Sequence, residues 1–534
     1  MKTTRRTVLK SAAASLAVLA APNLARSQAN ASNTLVWGDD SRSDVTFDPR
    51  VTQSRHEEQV IVQCFDQLIM SDEKSTLSPG LATSWQLSPD STSLHLKLRE
   101  GVKFHDGTAF NAEAVKFTLD TIVDPKTGSQ GAVDMLGPYD KTEIISAHEL
   151  KIHFKAPNAG IIDTLTETEM SIVSPAAVGA KGNTGFAQAP VGTGPFRFVS
   201  QEAGREVILE RNPDYNWAPD WSTVKGPSNI QRIVHRYIPA ASTRVAALEA
   251  GELHAADLLP ALDVNRLQQS GKFKGFIGVA AGLSNGALFN ITRSPFSDIR
   301  VRQAFMHAID RDRVVQNLYF GLIKAAKGPL APSTPGYWAG AAAYYPFDRN
   351  KANALLEEAG WKMGPGGIRV KDGQPLSVFF PSLTNPDAAV AIQGEAKRVG
   401  FDVKVEIVLK QRQDEILMNN QYEMAVLQWV SNSPGILRVP FHSSNVPVPG
   451  KFKFNWARVE DPALDAMIDK AGAARTPEER IKLYADLQKE IMDRAIYMPF
   501  QDQVQTAAAS TKLQGLRFAR GNWQVRFHEA RIVG

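Results

Sequence analysis

The sequence predicts an α/β protein with two lobes, for three reasons. Segments in which apolar and polar residues alternate are interspersed with segments of helical period, which is typical of α/β folds. The chain has 534 residues, more than one hydrophobic core usually organises. The pattern of strands and helices restarts near residue 286, and no long linker precedes it. We therefore expect two lobes built from discontinuous segments.

The first 29 residues have the composition of an export signal. A basic start precedes an Ala-rich, moderately apolar run at 11–21, and Ser27-Gln28-Ala29 fits a cleavage site. Arg5 and Arg6 lie in a segment similar to a twin-arginine motif, and a Sec signal with two chance arginines is the alternative. We expect a twin-arginine signal peptide over residues 1–29 and a periplasmic product.

The positive charge of the chain comes from this leader. The formal charge is +4, but residues 1–29 contain five basic residues and no acidic ones, so the remainder has 55 basic and 56 acidic residues. No broad cationic surface for nucleic acid is expected. No later run approaches the roughly 20 apolar residues of a membrane span, so we expect a soluble mature product.

Cysteine and histidine usage argues against metal and cofactor sites. Cys64 is the only cysteine, which excludes an internal disulfide and a multi-cysteine metal site. It falls on the apolar stripe of a predicted helix, where we expect a buried, inert thiol. The ten histidines are scattered, with no spacing that places two of them on one helical face. We predict no metal and no cofactor.

The first half of the chain is predicted to alternate strands with helices. Leu94, Leu96 and Leu98 alternate with polar residues, which is the period of a half-buried strand. Asn111 is a candidate N-cap of the helix that follows, and Gly251 a candidate C-cap of a helix that begins at 242. Further strands are predicted at Thr34–Trp37, Leu150–Phe154, Val207–Glu210 and Ile230–Ile238.

The second half is predicted to be richer in helix. Thr476-Pro477-Glu478-Glu479 is a strong helix start, with Thr at the cap, Pro at the first position and Glu three residues after the cap. Val403–Ile407 alternates like a strand. Helices are predicted over Asp298–Tyr319, Lys351–Ala359 and Pro386–Val399.

Several longer segments resemble the family 5 extracellular solute-binding proteins, which serve ABC importers for peptides, nickel and related solutes. The segments, in the family's order, are LATSWQLSPD (81–90), LREGVKFHDGTAFNAEAVKFTLD (98–120), GTGPFRF (192–198), ERNPDYNW (210–217), LEAGELHAADL (248–258), FNITRSPFSDIRVRQAFMHAIDRDRVV (289–315) and YPFDRNKANALLEEAGW (345–361). The resemblance implies a two-lobed periplasmic binding protein (Venus-flytrap) fold with an extra inserted domain. It also implies a role in binding without catalysis.

The same resemblance implies a domain division and partners. Lobe 1 is expected to take its core from residues 30–65, 190–285 and 500–534, with an inserted domain at 66–189, and lobe 2 to comprise 286–499. We expect a monomer that closes on a small-molecule or oligopeptide ligand and is recognised by an inner-membrane ABC permease. No nucleic acid is expected as a partner.

The ligand site is predicted in the segment LQWVSNSPG at 427–435. In peptide-binding relatives, a Trp at the position resembling Trp429 lines the pocket, and an Asp three residues later pairs with the ligand's α-amino group. That position is Asn432 here, which can accept a hydrogen bond but lacks the charge that would stabilise a buried ammonium. We predict that Trp429 stacks on the ligand, with a place in the hydrophobic core as the alternative.

Dipeptide binders also carry an Arg for the ligand carboxylate just ahead of an Asn-Pro pair, and none precedes Asn385-Pro386. Arg438 is predicted to supply a polar contact, with a solvated loop arginine as the alternative. The loop from Ser43 to Asp48 is predicted to form the rim. Without both anchors for the termini, a longer peptide, an opine, a sugar conjugate or another small polar solute is favoured over a dipeptide.

Two other functions are alternatives to solute binding. Gly282-Leu283-Ser284-Asn285-Gly286 matches the GxSxG pattern of serine hydrolases, in which a sharp turn exposes the Ser ahead of a helix. The next residues, 287–291, read as an extended segment, which disfavours an exported hydrolase that uses Ser284. The other alternative is a periplasmic chaperone that binds unfolded peptides.

Overall fold

A computed structural model describes residues 33–40, 46–52, 54–72, 76–129, 131–382, 386–519 and 524–533. The predicted signal peptide at 1–29 lies outside these residues. Within the described part of the chain, no helix is both long and apolar enough to cross a membrane.

A seven-stranded mixed sheet, here called the large sheet, forms the base of the first lobe. Its opening strand, Thr34–Asp39, runs parallel to both neighbours, and the outer pairs are antiparallel. Leu35 and Trp37, which point to the same face of this strand, are fully buried in the core. The strands lie in the order Phe273–Val279, Val504–Ser510, Ala255–Asp257, Thr34–Asp39, Arg232–Tyr237, Glu206–Arg211 and Phe196–Glu202.

Helices cover the large sheet. The helix Arg55–Cys64 packs its apolar side into the same core as the sheet, and burial raises the pKa of the Cys64 thiol, which fits the predicted inert cysteine. Gly251 follows the end of the helix predicted from residue 242 and has a φ of 78°. Glycine adopts this left-handed conformation without strain, which suits it to the end of a helix. The α-helices of this part are Arg55–Cys64, Pro175–Gln188, Ala241–Glu249 and Ala261–Gln269.

A four-stranded antiparallel sheet forms a second layer of the first lobe. Its strands lie in the order Ala82–Leu87, Ser93–Leu98, Glu149–Phe154 and Tyr139–Ser146. Leu94, Leu96 and Leu98 are buried, which confirms the predicted alternation. Asn111 Oδ1 accepts a hydrogen bond from Ala114 N at 3.2 Å, which confirms the predicted cap. The short strands and the helices here are Ile69–Ser71, Leu77–Pro79, Ala112–Val123, Pro125–Thr127, Gly131–Leu136, Ile161–Thr164 and Thr168–Met170.

The second lobe is built on a three-stranded antiparallel sheet. Its strands lie in the order Met424–Val430, Gly282–Phe289 and Tyr497–Gln501, and a parallel pair, Ser377–Ser382 and Asp402–Ile407, packs beside it. The Thr476 side chain accepts from Glu479 N at 3.1 Å, which confirms that helix start. The α-helices are Ile299–Ala308, Arg311–Leu318, Arg349–Glu358, Pro386–Lys397, Lys410–Met418, Arg438–Phe441, Pro462–Gly472 and Pro477–Asp493.

The prediction of one helix over Asp298–Tyr319 was wrong, because the structure has two. The first helix ends at Ala308, and Ile309 is extended. Asp310 then accepts a hydrogen bond from Arg313 N at 3.1 Å and caps the second helix, Arg311–Leu318. A side chain that binds a nearby backbone N–H offers an alternative to the helical hydrogen bond, and apolar periodicity does not reveal it.

Two short connections join the lobes, at 280–281 and at 502–503, where one strand of each lobe ends and the next begins. They lie side by side, since Ala280 N donates to Gln503 O at 2.8 Å and Gln503 Nε2 donates to Leu283 O at 2.6 Å. The domain limits expected at 285–286 and 499–500 are a few residues away and stay a prediction.

Asp66 ties the layers of the first lobe together. It is buried and accepts hydrogen bonds from Thr193 Oγ1 at 2.9 Å, Trp217 Nε1 at 2.9 Å and Tyr215 OH at 3.2 Å. Thr193 reaches it because Gly194 packs directly on the backbone that follows the first helix, where a Cβ would lie 2.5 Å from the Cys64 carbonyl carbon. This junction fixes the end of the first helix relative to the second layer.

Candidate functional site

A cavity lies between the lobes, and part of it is open to solvent. The second lobe contributes Val430 and Asn432, at the end of the strand Met424–Val430 and just beyond it. A solute in this cavity would therefore contact both lobes. The first lobe contributes the rest of the wall, which is mostly polar: Glu58, Ser71, Thr166, Glu167, Thr168, Glu169, Ala519, Gln524 and Arg526.

Asn432 joins the two lobes across this cavity. Its backbone N–H donates to Glu167 Oε1 at 2.7 Å, and its side-chain Nδ2 donates to Glu167 Oε2 at 2.8 Å. Both oxygens of one carboxylate thus receive neutral donors from a single residue of the other lobe. An aspartate at this position would instead place a second carboxylate against Glu167. The asparagine therefore suits the closed arrangement.

A second contact between the lobes is an ion pair. Arg480 Nη1 lies 2.5 Å from Asp163 Oδ2, and Arg480 Nη2 donates to Ser433 Oγ at 2.8 Å. The two charged side chains are 11% and 18% exposed, so solvent screens the pair little. Ser91 Oγ also donates to the backbone oxygen of Arg475 at 3.2 Å. The two lobes are closed on one another in this structure.

Three buried glutamates belong to the described wall of the cavity. Glu58 projects from the helix Arg55–Cys64, and Glu167 and Glu169 come from the adjacent turn around Thr168–Met170. Each is less than a tenth exposed. The Gln524 amide donates to Glu58, and Asn432 donates to Glu167. Apart from its own backbone, no residue in the described ranges donates to the Glu169 carboxylate.

Burial shifts the proton affinity of these acids. It raises the pKa of Glu58 to about 7, while the hydrogen bond from Gln524 acts in the opposite direction. Burial also raises the pKa of Glu169 well above its ordinary value, and the nearby charges of Glu58 and Glu167 raise it further. Burial therefore favours the neutral, protonated form of Glu58 and Glu169 in this cavity.

Among the described residues that line the cavity, Arg526 is the one that is basic. Its Nη2 donates to Gln67 Oε1 at 3.4 Å, and its buried Nε has no hydrogen-bond partner among the described residues. Burial lowers the pKa of Arg526, and the charge of Asp66 raises it.

Of the predicted site residues, Asn432 lines the cavity. Trp429 lies one residue before Val430 on the same strand and packs against Phe454, with ring centroids 4.8 Å apart in a T-shaped arrangement. The described wall includes Val430 in place of Trp429. The stacking role of Trp429 stays a prediction.

The remaining predicted residues lie elsewhere. Arg438 is exposed and forms an ion pair with Asp469. Asp48 is buried and bound to Arg50, with Oδ2 2.6 Å from Nη2. Ser43 lies outside the described residues. The structure does not bring Arg438 and Asp48 to the described wall of the cavity, and their roles in binding stay predictions.

The three glutamates were not predicted from the sequence. Glu58 lies in a helix that is predicted from its apolar stripe. Glu167 and Glu169 lie in the polar run TLTETEMS at 164–171. The available signal was the pair of acids two residues apart in that run, within the predicted insertion. Their burial could not be read from local pattern.

Ser284 has a structural role. It is fully buried in the strand Gly282–Phe289, its Oγ donates to Gly328 O at 2.9 Å, and Tyr497 OH donates to the Ser284 carbonyl at 2.5 Å. A nucleophile elbow requires a sharp turn before a helix, and an extended strand does not provide one. Nothing in this geometry supports the serine hydrolase.

One cluster outside the cavity has the composition of a metal site. His56 Nδ1 lies 2.9 Å from Asp39 Oδ1 and 3.1 Å from Asp40 Oδ1. Arg55 lies next to His56, and its charge acts on both aspartates. The contacts of the imidazole with the two carboxylates account for this cluster, and the absence of a metal stays a prediction.

We predict that Glu169→Gln stabilises the ligand-free protein at pH 8 by roughly 1–4 °C in Tm and changes little at pH 5. When folding raises the pKa of an acid from 4.5, the acid contributes fully to the free energy of unfolding below pH 4.5. This contribution is lost as the pH rises through the raised pKa. Gln removes this loss. Thermal unfolding at both pH values measures the difference, and Glu100→Gln, at an exposed loop position, is the matched control. Equal Tm differences at the two pH values would contradict the prediction.

The sequence matches a known protein family. Residues 76–440 match the model of the bacterial extracellular solute-binding proteins, family 5. The glutathione-binding protein GsiB of Pectobacterium atrosepticum is 30% identical over 474 residues, which are 86% of each chain.

Solved structures share the fold. NikA from Brucella suis, in complex with Fe(III)-EDTA, has a TM-score of 0.82 at 24% identity and covers 93% of this chain and 99% of its own. The ABC transporter-associated periplasmic binding protein DppA from Helicobacter pylori, in complex with the peptide STSA, has a TM-score of 0.76 at 24% identity and covers 94% and 98%. The predicted two-lobed α/β binding-protein fold is confirmed. The chain belongs to the family 5 extracellular solute-binding proteins.

Proposed function

We propose that this chain is the periplasmic substrate-binding component of an ABC importer, which captures a peptide or a peptide-like polar solute by closing its lobes. The observation that carries the proposal is the cavity whose wall is shared by both lobes and bridged by Asn432 and Glu167. A solute held there would stabilise the closed form by the free energy with which it binds that form better than the open one.

The chemistry of the wall supports a polar, peptide-like solute. The hydroxyl groups of Ser71, Thr166 and Thr168 and the Gln524 amide supply donors and acceptors within the cavity. The relatives support the same class, since GsiB is named for glutathione and DppA was solved with a peptide. A dipeptide held at position 432 by its amino group is disfavoured, because Asn432 carries no charge and already binds Glu167.

Delivery requires a permease that distinguishes the closed form from the open one. Closure brings Asp163 of the first lobe and Arg480 of the second into contact, so the outer surface beside this pair exists only when the lobes are closed. We infer that an inner-membrane ABC permease recognises the closed form, and that the binding protein acts as a monomer without catalysis.

The first test is mass spectrometry of the small molecules released on denaturation of the mature protein, purified gently from its own host. We expect one compound in a stoichiometric amount. Rebinding of that compound should be weakened by Asn432→Asp, which sets two carboxylates against each other at a cost of roughly 1–3 kcal/mol. Asn216→Asp, at an exposed position, is the matched control and should bind normally.

Other results of this test decide against the proposal. Heterogeneous peptides in place of one compound would favour the chaperone. A compound that both asparagine variants bind with native affinity would place the binding site away from the cavity.

We also propose that the chain is exported by the twin-arginine route. Replacing both Arg5 and Arg6 by Lys should stop export and leave the precursor in the cytoplasm, because that pathway recognises the arginine pair. Arg26→Lys, in the same leader, also leaves the charge unchanged and serves as the control. Immunoblots of periplasmic and cytoplasmic fractions measure the outcome, and undiminished export of the double variant would assign the leader to the Sec route.

A further inference from the structure

The ion pair between Arg480 and Asp163 joins a helix of each lobe. Arg480 lies near the start of the helix Pro477–Asp493 of the second lobe, and Asp163 lies in the short helix Ile161–Thr164 of the first. Gly160 precedes that short helix, and a Cβ at this position would lie 3.0 Å from Arg480 Nη2. The guanidinium of one lobe is therefore packed directly against the backbone of the other.

Arg480 is oriented by its own lobe. Its Nη2 donates to Ser433 Oγ at 2.8 Å, and its guanidinium carbon lies 5.6 Å from the centre of the Tyr484 ring, within the range of a cation–π contact. Ser433 and Tyr484 both belong to the second lobe, so these two contacts do not require closure. Among the described residues, Asp163 is the one polar partner of the Arg480 side chain from the other lobe.

The ion pair is connected to the cavity wall on both sides, although neither Arg480 nor Asp163 is among the described residues of that wall. The Asp163 carbonyl accepts from Thr166 N at 3.0 Å and from Thr166 Oγ1 at 2.7 Å, and Thr166 lines the cavity. Ser433 directly follows Asn432, which lines the cavity from the second lobe. The pair therefore holds two segments of the wall together from a position outside it.

A second acid of the first lobe faces basic residues of the second. Partial burial raises the pKa of Asp134, and the positive charges of Arg438 and Lys453 lower it. Arg438 is also paired with Asp469 of its own lobe, which reduces its effect on Asp134. At Asp134, as at Asp163, the acid lies on the first lobe and the base on the second. The signs of these charges favour the approach of the lobes.

We propose that Arg480 is a positioning residue for solute binding, which holds the lobes closed through Asp163 and so raises the affinity for the solute without contacting it. This inference rests on the proposed function and assigns part of the affinity to a contact outside the cavity. When the lobes open, both side chains are hydrated, so loss of the bond destabilises the closed form alone. The apparent dissociation constant rises as the closed form becomes less populated.

The test measures closure by fluorescence resonance energy transfer between one dye on each lobe. The dyes are attached at Lys155→Cys in the first lobe and Lys470→Cys in the second, both at exposed positions. Cys64 is buried and burial raises its pKa, so the dyes react with the introduced cysteines. The mature protein is freed of its compound by unfolding and refolding. The titrant is the compound that the native protein releases on denaturation.

The variants form a double-mutant cycle of Arg480→Gln, Asp163→Asn and the two together. Lys482→Gln removes a charge from the same helix at a position whose side chain is 78% exposed, and it is the matched control. Thermal unfolding establishes that each variant is folded. Asp163→Asn breaks the same bond as Arg480→Gln from the other lobe, so either variant alone reports on it.

We expect each single variant to need about tenfold more compound for half closure than the native protein does. The double variant should bind no more weakly than the weaker single variant, because all three lack the same bond. The dissociation rate should rise by a similar factor while the association rate changes little, since the bond forms only on closure. Lys482→Gln should behave as the native protein does.

Two results would overturn the inference and leave the proposed function standing. One is half closure of Arg480→Gln and Asp163→Asn at the native concentration of the compound. The other is a pair of losses that add in the double variant, since two independent contacts would then be involved. A native protein that releases no compound, or whose dyes report no approach of the lobes when the compound is added, would overturn both.

Discussion

The closed form depends on the Glu167 carboxylate, which Asn432 holds from the other side of the cleft. Two donors from one residue fix both carboxylate oxygens, so the second lobe can approach the first only in one register at this point. The ion pair of Arg480 with Asp163 then supports the same approach nearby. Because Glu167 is turned towards Asn432, it also forms one wall of the cavity together with Glu58 and Glu169.

The fold of the first lobe places these acids together. Glu58 lies on the helix that follows the central strand of the large sheet, and the turn with Glu169 packs against that helix. Asp66 anchors the chain just after the helix through three buried hydrogen bonds. The acids therefore sit on a rigid base in one lobe, while the neutral Asn432 closes from the other.

Much of the architecture could be predicted from the sequence. The alternation around Leu94–Leu98 and the caps at Asn111 and Thr476 are local signals, and the structure confirms them. The family could be predicted as well, since its segments occur in order along most of the chain. The helix break at Ile309 was missed, because a cap by Asp310 leaves the apolar spacing unchanged.

The cavity could be predicted only in part. Asn432 was identified from the resemblance, but its partner Glu167 lies 265 residues away, and no local pattern links the two. The resemblance predicts Trp429 as a lining residue, whereas the residue of this strand that lines the described cavity is Val430. Charged residues in a polar run are usually solvated, so the burial of Glu167 and Glu169 follows only from packing between distant segments.

The most direct test of this account is a crystal structure of the mature protein with its own solute. We expect the lobes closed, the solute between them in contact with residues of both lobes, and the contact of Asn432 with Glu167 preserved. A solute bound to one lobe alone, or closed lobes in which Asn432 is separated from Glu167, would contradict the account.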